Sequence, residues 1–370
     1  MSNAAIKLLI AASGTGGHVF PAIAVAQKLS GYQIEWLGVP DRLESKLVPK
    51  EYPLHIIRVG GFQGKFGLGT LKTLGGLFAS VFQVRKLLKQ GKFDAVFSTG
   101  GYISAPAILA GYSLGLPVFL HESNAIPGKV TRWLSPFCTK VAVGFVATSK
   151  YLTRAKTIYL GTPCRQEFLT SQPLDLPIPD RSPLIVVVGG SQGAVALNQM
   201  IVECVQSWLD TGATIVHIVG GANMPANKIE HPRYIVLPFY DNMAGLLQRA
   251  NLAICRAGAA TLNELMITRT PSILIPYPFA AEDHQYYNAN VLASAHGALL
   301  FRQENLTAQF LTLEVLNLLQ NPQRLETMAS NTSSLGVINS ADLLADAIGE
   351  SVKARIAARQ PAQSVNGNQS

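Results

Sequence analysis

The chain has 370 residues, of which 48% are apolar and 14% are charged, and it carries a net charge of +8. This length predicts two domains, and the positive charge favours an anionic partner: a nucleic acid, an anionic membrane or a phosphorylated substrate. Nucleic acid is not predicted as a partner, because the sequence has no Lys/Arg-rich block and no RNA-binding aromatic signature. No apolar run reaches the ~20 residues of a membrane span. Four scattered cysteines predict reduced thiols rather than disulfides or a metal site.

Strand-like and helix-like segments alternate along the chain, which is typical of parallel sheets with helices on both faces. In the first half we expect strands near 6–12, 32–37, 54–59, 94–98, 117–121 and 140–144. In the second half we expect strands near 184–189, 213–219, 233–237, 252–255 and 272–275. Between the halves, residues 169–183 contain four prolines and two aspartates, so they predict an inter-domain linker. The polar residues 358–370 predict a disordered tail.

A glycine-rich turn follows the first strand of each half. Residues 14–18 (Gly-Thr-Gly-Gly-His) and 189–194 (Gly-Gly-Ser-Gln-Gly-Ala) each separate an apolar run from a helix-like stretch, and Gly100-Gly101 ends a further strand. Such turns expose backbone N–H groups at a helix N-terminus, where negative charge is favoured. Three of these turns in one chain predict a ligand that carries phosphate.

Two common phosphate-binding motifs fit these turns poorly. The dinucleotide fingerprint requires glycine at the position of Val19, although Glu35 lies at about the right distance to bind a ribose. A nicotinamide cofactor is therefore disfavoured rather than excluded. A Walker A loop is absent, because no glycine-lysine-serine/threonine sequence follows the turns.

Several segments together resemble the MurG family, the N-acetylglucosaminyltransferases that complete lipid II for peptidoglycan. The segments are 14–22 (GTGGHVFPA), 41–44 (DRLE), 100–102 (GGY), 121–124 (HESN), 189–194 (GGSQGA), 256–264 (RAGAATLNE) and 283–285 (DHQ). The resemblance extends from about Leu8 to about Ile348. It implies an α/β fold of the GT-B type, in which two Rossmann-like, doubly wound parallel-sheet domains face a central cleft.

The resemblance also implies the reaction and its partners. GlcNAc would pass with inversion from UDP-GlcNAc to lipid I, the undecaprenyl-diphosphate-muramyl-pentapeptide, without a metal or another cofactor. Consistent with this, the sequence has no Asp-x-Asp triplet. Residues 1–161 and a helix at about 341–357 would form an acceptor and membrane-facing domain, and residues 162–340 the donor domain. The implied location is peripheral, on the cytoplasmic face of a bacterial plasma membrane.

The family's binding residues carry over onto matching positions of this sequence. By resemblance, Glu264 accepts the two ribose hydroxyls and Tyr240 lines the uracil pocket. Gln285 and Asn124 hydrogen-bond the sugar, and Arg165 lies near the donor. The remaining implied binding residues belong to the glycine turns and to one helix start: Thr15, Gly16, Gly17, Ser191, Ala259, Ala260, Thr261, Leu262 and Asn263.

Inversion by a single displacement requires a base for the acceptor hydroxyl. His18 is the first candidate, because histidine titrates near neutral pH. The alternative is that His18 only binds the acceptor diphosphate. Glu122 is the second candidate. His121 is equally well explained as a structural histidine at a strand end.

Other polar residues have a structural interpretation or differ from the family. Residues interpreted as structural or as ordinary helix charges are Asp41, Glu44, His217, His231 and His296. Residues that depart from the family pattern near the sugar are Ser123, Thr162 and Cys164. These departures leave the fine selectivity for the donor sugar open.

Residues 60–92 combine basic and apolar side chains. On a helix, Leu77, Val81, Val84 and Leu88 form one face, whereas Phe78 and its neighbours on the adjacent face, Leu74 and Phe82, widen the apolar surface. We expect this second face to enter the interface of an anionic membrane while lysines and arginines meet the headgroups. The alternative is a helix that is simply well buried.

Three other functions remain open. A GT-B transferase with another lipid acceptor, such as diacylglycerol, would share the glycine turns. A non-catalytic sugar-nucleotide-binding subunit usually keeps half of this architecture. A UDP-sugar epimerase would use the fold without an acceptor.

Overall fold

The computed structural model describes residues 5–14, 16–40, 42, 44–59, 68–189, 194–221 and 229–359, the side chains of 68–74 and 359 excepted. Thr15, Asp41 and Ser191 therefore lie outside the described residues, as does the tail from residue 360 onward. Among the described residues, two separate parallel sheets organise the chain.

The first sheet has the strand order β3-β2-β1-β4-β5-β6-β7, with every pairing parallel. Its strands are β1 (Ile6–Ala11), β2 (Tyr32–Gly38), β3 (Leu54–Ile56), β4 (Ala95–Ser98), β5 (Val118–Glu122), β6 (Lys140–Val143) and β7 (Thr157–Tyr159). The helices between them are α1 (Gly16–Lys28), α2 (Glu44–Leu47), α3 (Leu68–Gln90), α4 (Ser104–Ser113) and α5 (Lys129–Leu134). Two 3-10 turns, Ser135–Phe137 and Val146–Tyr151, complete this half.

The second sheet has the order β10-β9-β8-β11-β12-β13 and is also parallel throughout. Its strands are β8 (Leu184–Val188), β9 (Thr214–Ile218), β10 (Tyr234–Leu237), β11 (Leu252–Cys255), β12 (Ser272–Leu274) and β13 (Ala298–Leu300). The helices are α6 (Gln166–Leu169), α7 (Val195–Leu209), α8 (Met243–Arg249), α9 (Ala259–Thr268), α10 (His284–Ser294), α11 (Ala308–Leu319), α12 (Pro322–Ser334) and α13 (Ser340–Arg359). Single 3-10 turns lie at Ala281–Asp283 and Gln303–Asn305.

The central strands β1 and β8 carry apolar runs, Leu8 to Ala11 and Leu184 to Val188, because both faces of each strand are covered. In β1, Leu8 and Ile10 join the core cluster on one face, whereas Leu9 joins the cluster on the other. In β8, Leu184 and Ile185 divide between two clusters in the same way. Successive side chains of a strand point to opposite faces, so a doubly covered parallel strand reads as a continuous apolar run.

The predicted doubly wound α/β fold is confirmed, and all eleven predicted strands are present. Their bounds agree within one residue, except that β3 ends at Ile56 instead of 59. The edge strands β7 and β13 were not predicted, because three residues are too few to show a periodic pattern.

Two segments border the second half: residues 170–183 before it and helix α13 after it. Residues 170–183 contain neither helix nor strand, and the side chains of Gln248 and Arg249 hydrogen-bond several of their backbone carbonyls. After α12 the chain returns to the first half, where α13 packs against α1 and buries Leu344, Ile348 and Val352 in the first-half core.

Candidate functional site

The glycine turns lie where the strand order of each sheet reverses. In the first sheet β1 lies between β2 and β4, and in the second sheet β8 lies between β9 and β11. Loops that leave neighbouring strands on opposite faces open a crevice at the carboxyl ends of these strands, which is where doubly wound sheets bind ligands. Helices α1 and α9, which begin at these crevices, contact each other. The two crevices therefore face one another.

His18 lies against the second glycine pair of the first half. Its Nδ1 is 2.6 Å from the carbonyl oxygen of Thr99, and the Thr99 hydroxyl donates to the His18 carbonyl at 2.9 Å. A Cβ on Gly101, whose φ is +78°, would come within 3.7 Å of His18 Nε2. A carbonyl oxygen can only accept, so Nδ1 carries the proton and the Nε2 of a neutral ring keeps its lone pair.

Glu44 organises the first glycine turn, which corrects its interpretation as an ordinary helix charge. The residue is fully buried. Its Oε1 accepts from the Ser13 hydroxyl at 2.5 Å and from the Val39 N–H at 2.8 Å, and its Oε2 accepts from the Gly14 N–H at 3.2 Å. The helix-start pattern of the sequence does not indicate the bonds to Ser13 and Gly14, since they connect residues 31 and 30 positions apart.

Glu122 holds the loop that carries Asn124. Its Oε1 accepts from the backbone and the side-chain amide of Asn124 at 3.1 and 3.0 Å, and its Oε2 accepts from the Gly128 N–H at 3.1 Å. Both oxygens of this nearly buried carboxylate are thus engaged. Asn124 continues across the crevice, because its Oδ1 accepts from Asn288 of α10 at 3.1 Å.

Asn288 forms a hydrogen-bonding bridge between the halves. It is fully buried. Its Oδ1 accepts from the Ala125 N–H at 2.8 Å, and its Nδ2 donates to Asn124 and to the Ala257 carbonyl at 3.3 Å. An ion pair between Arg132 and Glu282 adds a second link at the surface.

Helix α9 begins at the crevice of the second sheet, and the N–H groups of its first turn have no acceptor within the helix. It begins after Gly258, which makes no side-chain cap, so the N–H groups of Ala259, Ala260 and Thr261 have no intrahelical acceptor. The N–H of Leu262 already bonds to the Gly258 carbonyl at 3.0 Å. The side chains of Leu262 and Asn263 are buried in the core rather than at the crevice surface.

Glu264 and Arg165 form a partly buried pair on the same side. Arg165 Nη2 lies 3.3 Å from Glu264 Oε1, and Arg165 Nη1 lies 2.9 Å from Glu167. Burial raises the pKa of Glu264 to about 7, although the positive charge of Arg165 acts to lower it. Near neutral pH this carboxyl group therefore exists in both charge states.

Gln285 and Tyr240 lie at two ends of this crevice. Gln285, in the first turn of α10, accepts with Oε1 from the backbone N–H groups of Ala257 at 3.2 Å and Tyr277 at 2.9 Å. The side-chain amide of Gln285 also carries an NH₂ group, which can donate hydrogen bonds. The Tyr240 hydroxyl donates to Asp175 in the inter-domain segment, and burial raises its pKa to about 12.

Several other residues have structural surroundings. His121 is buried, its Nε2 donates to the Gly161 carbonyl at 2.9 Å, and burial lowers its pKa. His217 is buried between Tyr234 and Asn198, at 3.0 and 3.1 Å, and burial lowers its pKa to about 4. These bonds give both histidines structural partners.

The remaining histidines and the positions that depart from the family pattern lie in different settings. His231 is half-buried and His296 is exposed. Thr162 and Cys164 are buried, and the Ser123 hydroxyl lies 3.4 Å from His121. All three departing residues are therefore buried side chains.

Glu35 does not lie free at the end of its strand. Lys7 and His55 each approach its carboxylate to 2.5 Å. Although desolvation acts to raise it, the pKa of Glu35 is lowered by these two partners. This engagement removes the main support for a dinucleotide site in the first half.

In the described part of the chain, no group of three or more His, Cys, Asp or Glu side chains is arranged to hold a metal ion. In the same residues, no helix combines the length and apolar character needed to cross a bilayer.

Two doubly wound parallel sheets whose crevices face one another, with a helix N-terminus and a carboxylate on one side, form the GT-B architecture of enzymes that bind nucleotide sugars. The glycosyltransferase family 28 N-terminal domain matches residues 8–143, and the family 28 C-terminal domain matches residues 184–344. The chain therefore belongs to glycosyltransferase family 28.

Individual proteins narrow the resemblance. A Nostoc punctiforme protein is 58% identical over 95% of this chain and all of its own length, and one from Trichodesmium erythraeum is 57% identical over 95% of this chain and 94% of its own. Both are named UDP-N-acetylglucosamine–N-acetylmuramyl-(pentapeptide) pyrophosphoryl-undecaprenol N-acetylglucosamine transferase. The crystal structure of Acinetobacter baumannii MurG superposes with a TM-score of 0.74 at 32% identity, covering 93% of this chain and 99% of that one. The predicted resemblance to the MurG family is confirmed.

Proposed function

We propose that this chain transfers GlcNAc from UDP-GlcNAc to lipid I, with inversion, and so forms lipid II for peptidoglycan. The observation that carries the proposal is the full-length similarity to transferases of that name, at 58% identity over both halves. The reaction would connect the chain to cell-wall biogenesis, and through it to cell shape and division. A non-catalytic subunit that keeps half of the architecture is disfavoured, because both crevices are built here.

The donor assignment uses the crevice of the second sheet. The free N–H groups at the start of α9 favour the diphosphate, together with Ser191 of the adjacent turn, which lies outside the described residues. Glu264 accepts the ribose hydroxyls, Tyr240 borders the uracil, and Gln285 and Asn124 bind the sugar. No metal is needed if the helix N-terminus and Arg165 stabilise the leaving UDP.

His18 is the proposed base for the acceptor hydroxyl. Its support is the bond from Nδ1 to the Thr99 carbonyl, which leaves Nε2 able to accept a proton. Gly16 and Gly17 flank the same turn on the acceptor side, with Thr15 outside the described residues. Glu122 has both oxygens engaged in holding the Asn124 loop. We therefore assign it a positioning role and not that of the base.

The first half is the proposed acceptor and membrane-facing domain. It comprises residues 1–161 together with α13, and the proposed donor domain begins at residue 162. Phe78 and Phe82 of α3 are 74% and 71% exposed, whereas Val84 and Leu88 of the same helix are buried. Exposed aromatic rings beside Lys86 and Lys89 suit an anionic lipid surface. The chain would act peripherally at the cytoplasmic face of the plasma membrane.

The function is tested by supplying labelled UDP-GlcNAc with a lipid I analogue, and in parallel with diacylglycerol. UDP-glucose and UDP-galactose replace the donor in matched reactions. We expect transfer of GlcNAc to lipid I only. Transfer to diacylglycerol without transfer to lipid I would assign another acceptor, and conversion of UDP-GlcNAc without any acceptor would assign an epimerase.

A further inference from the structure

The ring of Phe20 connects the first glycine turn to the second half. Phe20 lies on α1, and a Cβ built on Gly16 would come within 2.8 Å of its ring, so the absence of a side chain at Gly16 leaves room for it. The guanidinium carbon of Arg165 lies 4.3 Å from the ring centroid, which is a cation–π distance. An aromatic ring of the acceptor side thus contacts the arginine that pairs with Glu264.

Arg165 is held by aromatic faces as well as by ion pairs. A second ring, that of Phe168, lies 4.9 Å from the same guanidinium. The terminal nitrogens bond to Glu264 and Glu167, but the buried Nε has no hydrogen-bond partner among the described residues. Because no hydrogen bond from a described residue holds the Nε edge of the guanidinium, the rings of Phe20 and Phe168 contribute to its orientation.

We propose that Phe20 is a positioning residue for the donor: its ring holds Arg165 against Glu264 and thereby directs that carboxylate at the ribose. The inference rests on the proposed function, in which Glu264 binds the ribose. It assigns a donor-site role to a side chain of the acceptor-side helix.

The charges around Glu264 explain why the contact of Phe20 with Arg165 affects donor binding. The ionisable neighbours are Arg165, Glu167, Cys164 and Cys255, and burial raises the pKa of each thiol to about 12, so both cysteines stay neutral. Burial also raises the pKa of Glu264, Glu167 acts in the same direction, and Arg165 opposes them. A displaced Arg165 would raise the pKa of Glu264 further, which removes the ionised acceptor near pH 7 but hardly at pH 8.5.

The test compares Phe20→Leu, which keeps an apolar side chain, with Phe20→Tyr, which keeps the ring. UDP-GlcNAc binding is measured by calorimetry at pH 7 and pH 8.5, because its diphosphate diester does not titrate in this range. We expect Phe20→Leu to weaken binding about fivefold at pH 7 and about twofold or less at pH 8.5, as for a lost cation–π contact. Phe20→Tyr should bind like the original chain, and the donor KM of Phe20→Leu should rise while kcat changes little.

Phe310→Leu is the matched control, since the half-exposed ring of Phe310 lies on α11 and contacts Phe301. If Phe20→Leu melts at a much lower temperature, Phe20→Met takes its place under the same criteria. A double-mutant cycle with Arg165→Lys should be non-additive. Unchanged affinity in Phe20→Leu, equal losses in the Leu and Tyr variants, or an additive cycle would overturn the inference. Absence of transfer to lipid I by the original chain would instead overturn the proposed function, and the binding comparison would still stand.

Discussion

At the scale of single residues, the proposed ribose role of Glu264 predicts that donor binding depends on pH. Its pKa of about 7 lies above the usual value for Glu, because burial outweighs the opposing effect of Arg165. The ionised form accepts a diol more strongly, so UDP-GlcNAc affinity should rise as pH increases from 6 to 8. Glu264→Gln should lose about 1.5–3 kcal/mol of binding and show a flat profile by calorimetry. A profile of equal slope in both proteins would remove Glu264 from the ribose site.

His18 gives a second prediction at this scale. If Nε2 is the base, His18→Asn should reduce kcat about 10²–10⁴-fold while UDP affinity stays nearly unchanged, because His18 is on the acceptor side. The acid limb of the kcat profile should also change, since it reports the essential base. A variant with an unaltered profile and only a raised acceptor KM would instead show that His18 binds the acceptor diphosphate.

Glu44 should matter for the acceptor although it lies outside the crevice. Glu44→Gln replaces one acceptor oxygen by an NH₂ group, which faces either the Gly14 N–H or the Val39 N–H, and a buried unpaired donor costs about 1–3 kcal/mol. We expect a lower melting temperature and a raised acceptor KM, with UDP affinity little changed. Glu51→Gln, at an exposed position nearby, is the control and should change none of the three. Equal losses of donor and acceptor binding would argue for general unfolding.

At the scale of elements, α3 has two apolar faces, one buried and the other exposed. Val84 is buried in the first-half core, whereas Phe78 and Phe82 are exposed. The double substitution Phe78→Ser/Phe82→Ser should therefore reduce cosedimentation with anionic vesicles while leaving the melting temperature and UDP affinity nearly unchanged. Val84→Ser, the buried control, should lower the melting temperature instead. Vesicle binding that survives loss of both rings would place the membrane surface elsewhere.

The sequence predicts those elements and residues whose pattern lies within one continuous segment of the chain. A buried strand, a glycine turn and a helix are consecutive in the chain, so β1 with α1 and β8 with α7 were predictable, and with them the two crevices. The bonds from Glu44 to the first glycine turn and the contact of Phe20 with Arg165 were not predictable. These partners are remote in sequence, and no spacing of residues indicates them. The three-residue edge strands β7 and β13 were missed for lack of a pattern.

At the scale of the whole molecule, α13 makes the stability of the first half depend on the last part of the described chain. The helix packs on α1, Lys28 pairs with Asp342 at 3.1 Å, and its buried residues join the first-half core. Those residues are Leu344, Ala345, Ile348 and Val352.

Each large apolar side chain buried there contributes about 1.5–3 kcal/mol, and their sum is comparable to the stability of a domain. Removal of residues 340–370 should therefore unfold the first half, seen as loss of its cooperative melting transition, whereas removal of residues 360–370 should leave melting and transferase activity unchanged. A chain that ends at Asn339 and still melts like the full protein would show that α13 is dispensable. If the first half does unfold, UDP-GlcNAc binding to the same truncated protein will show whether the second half folds without it.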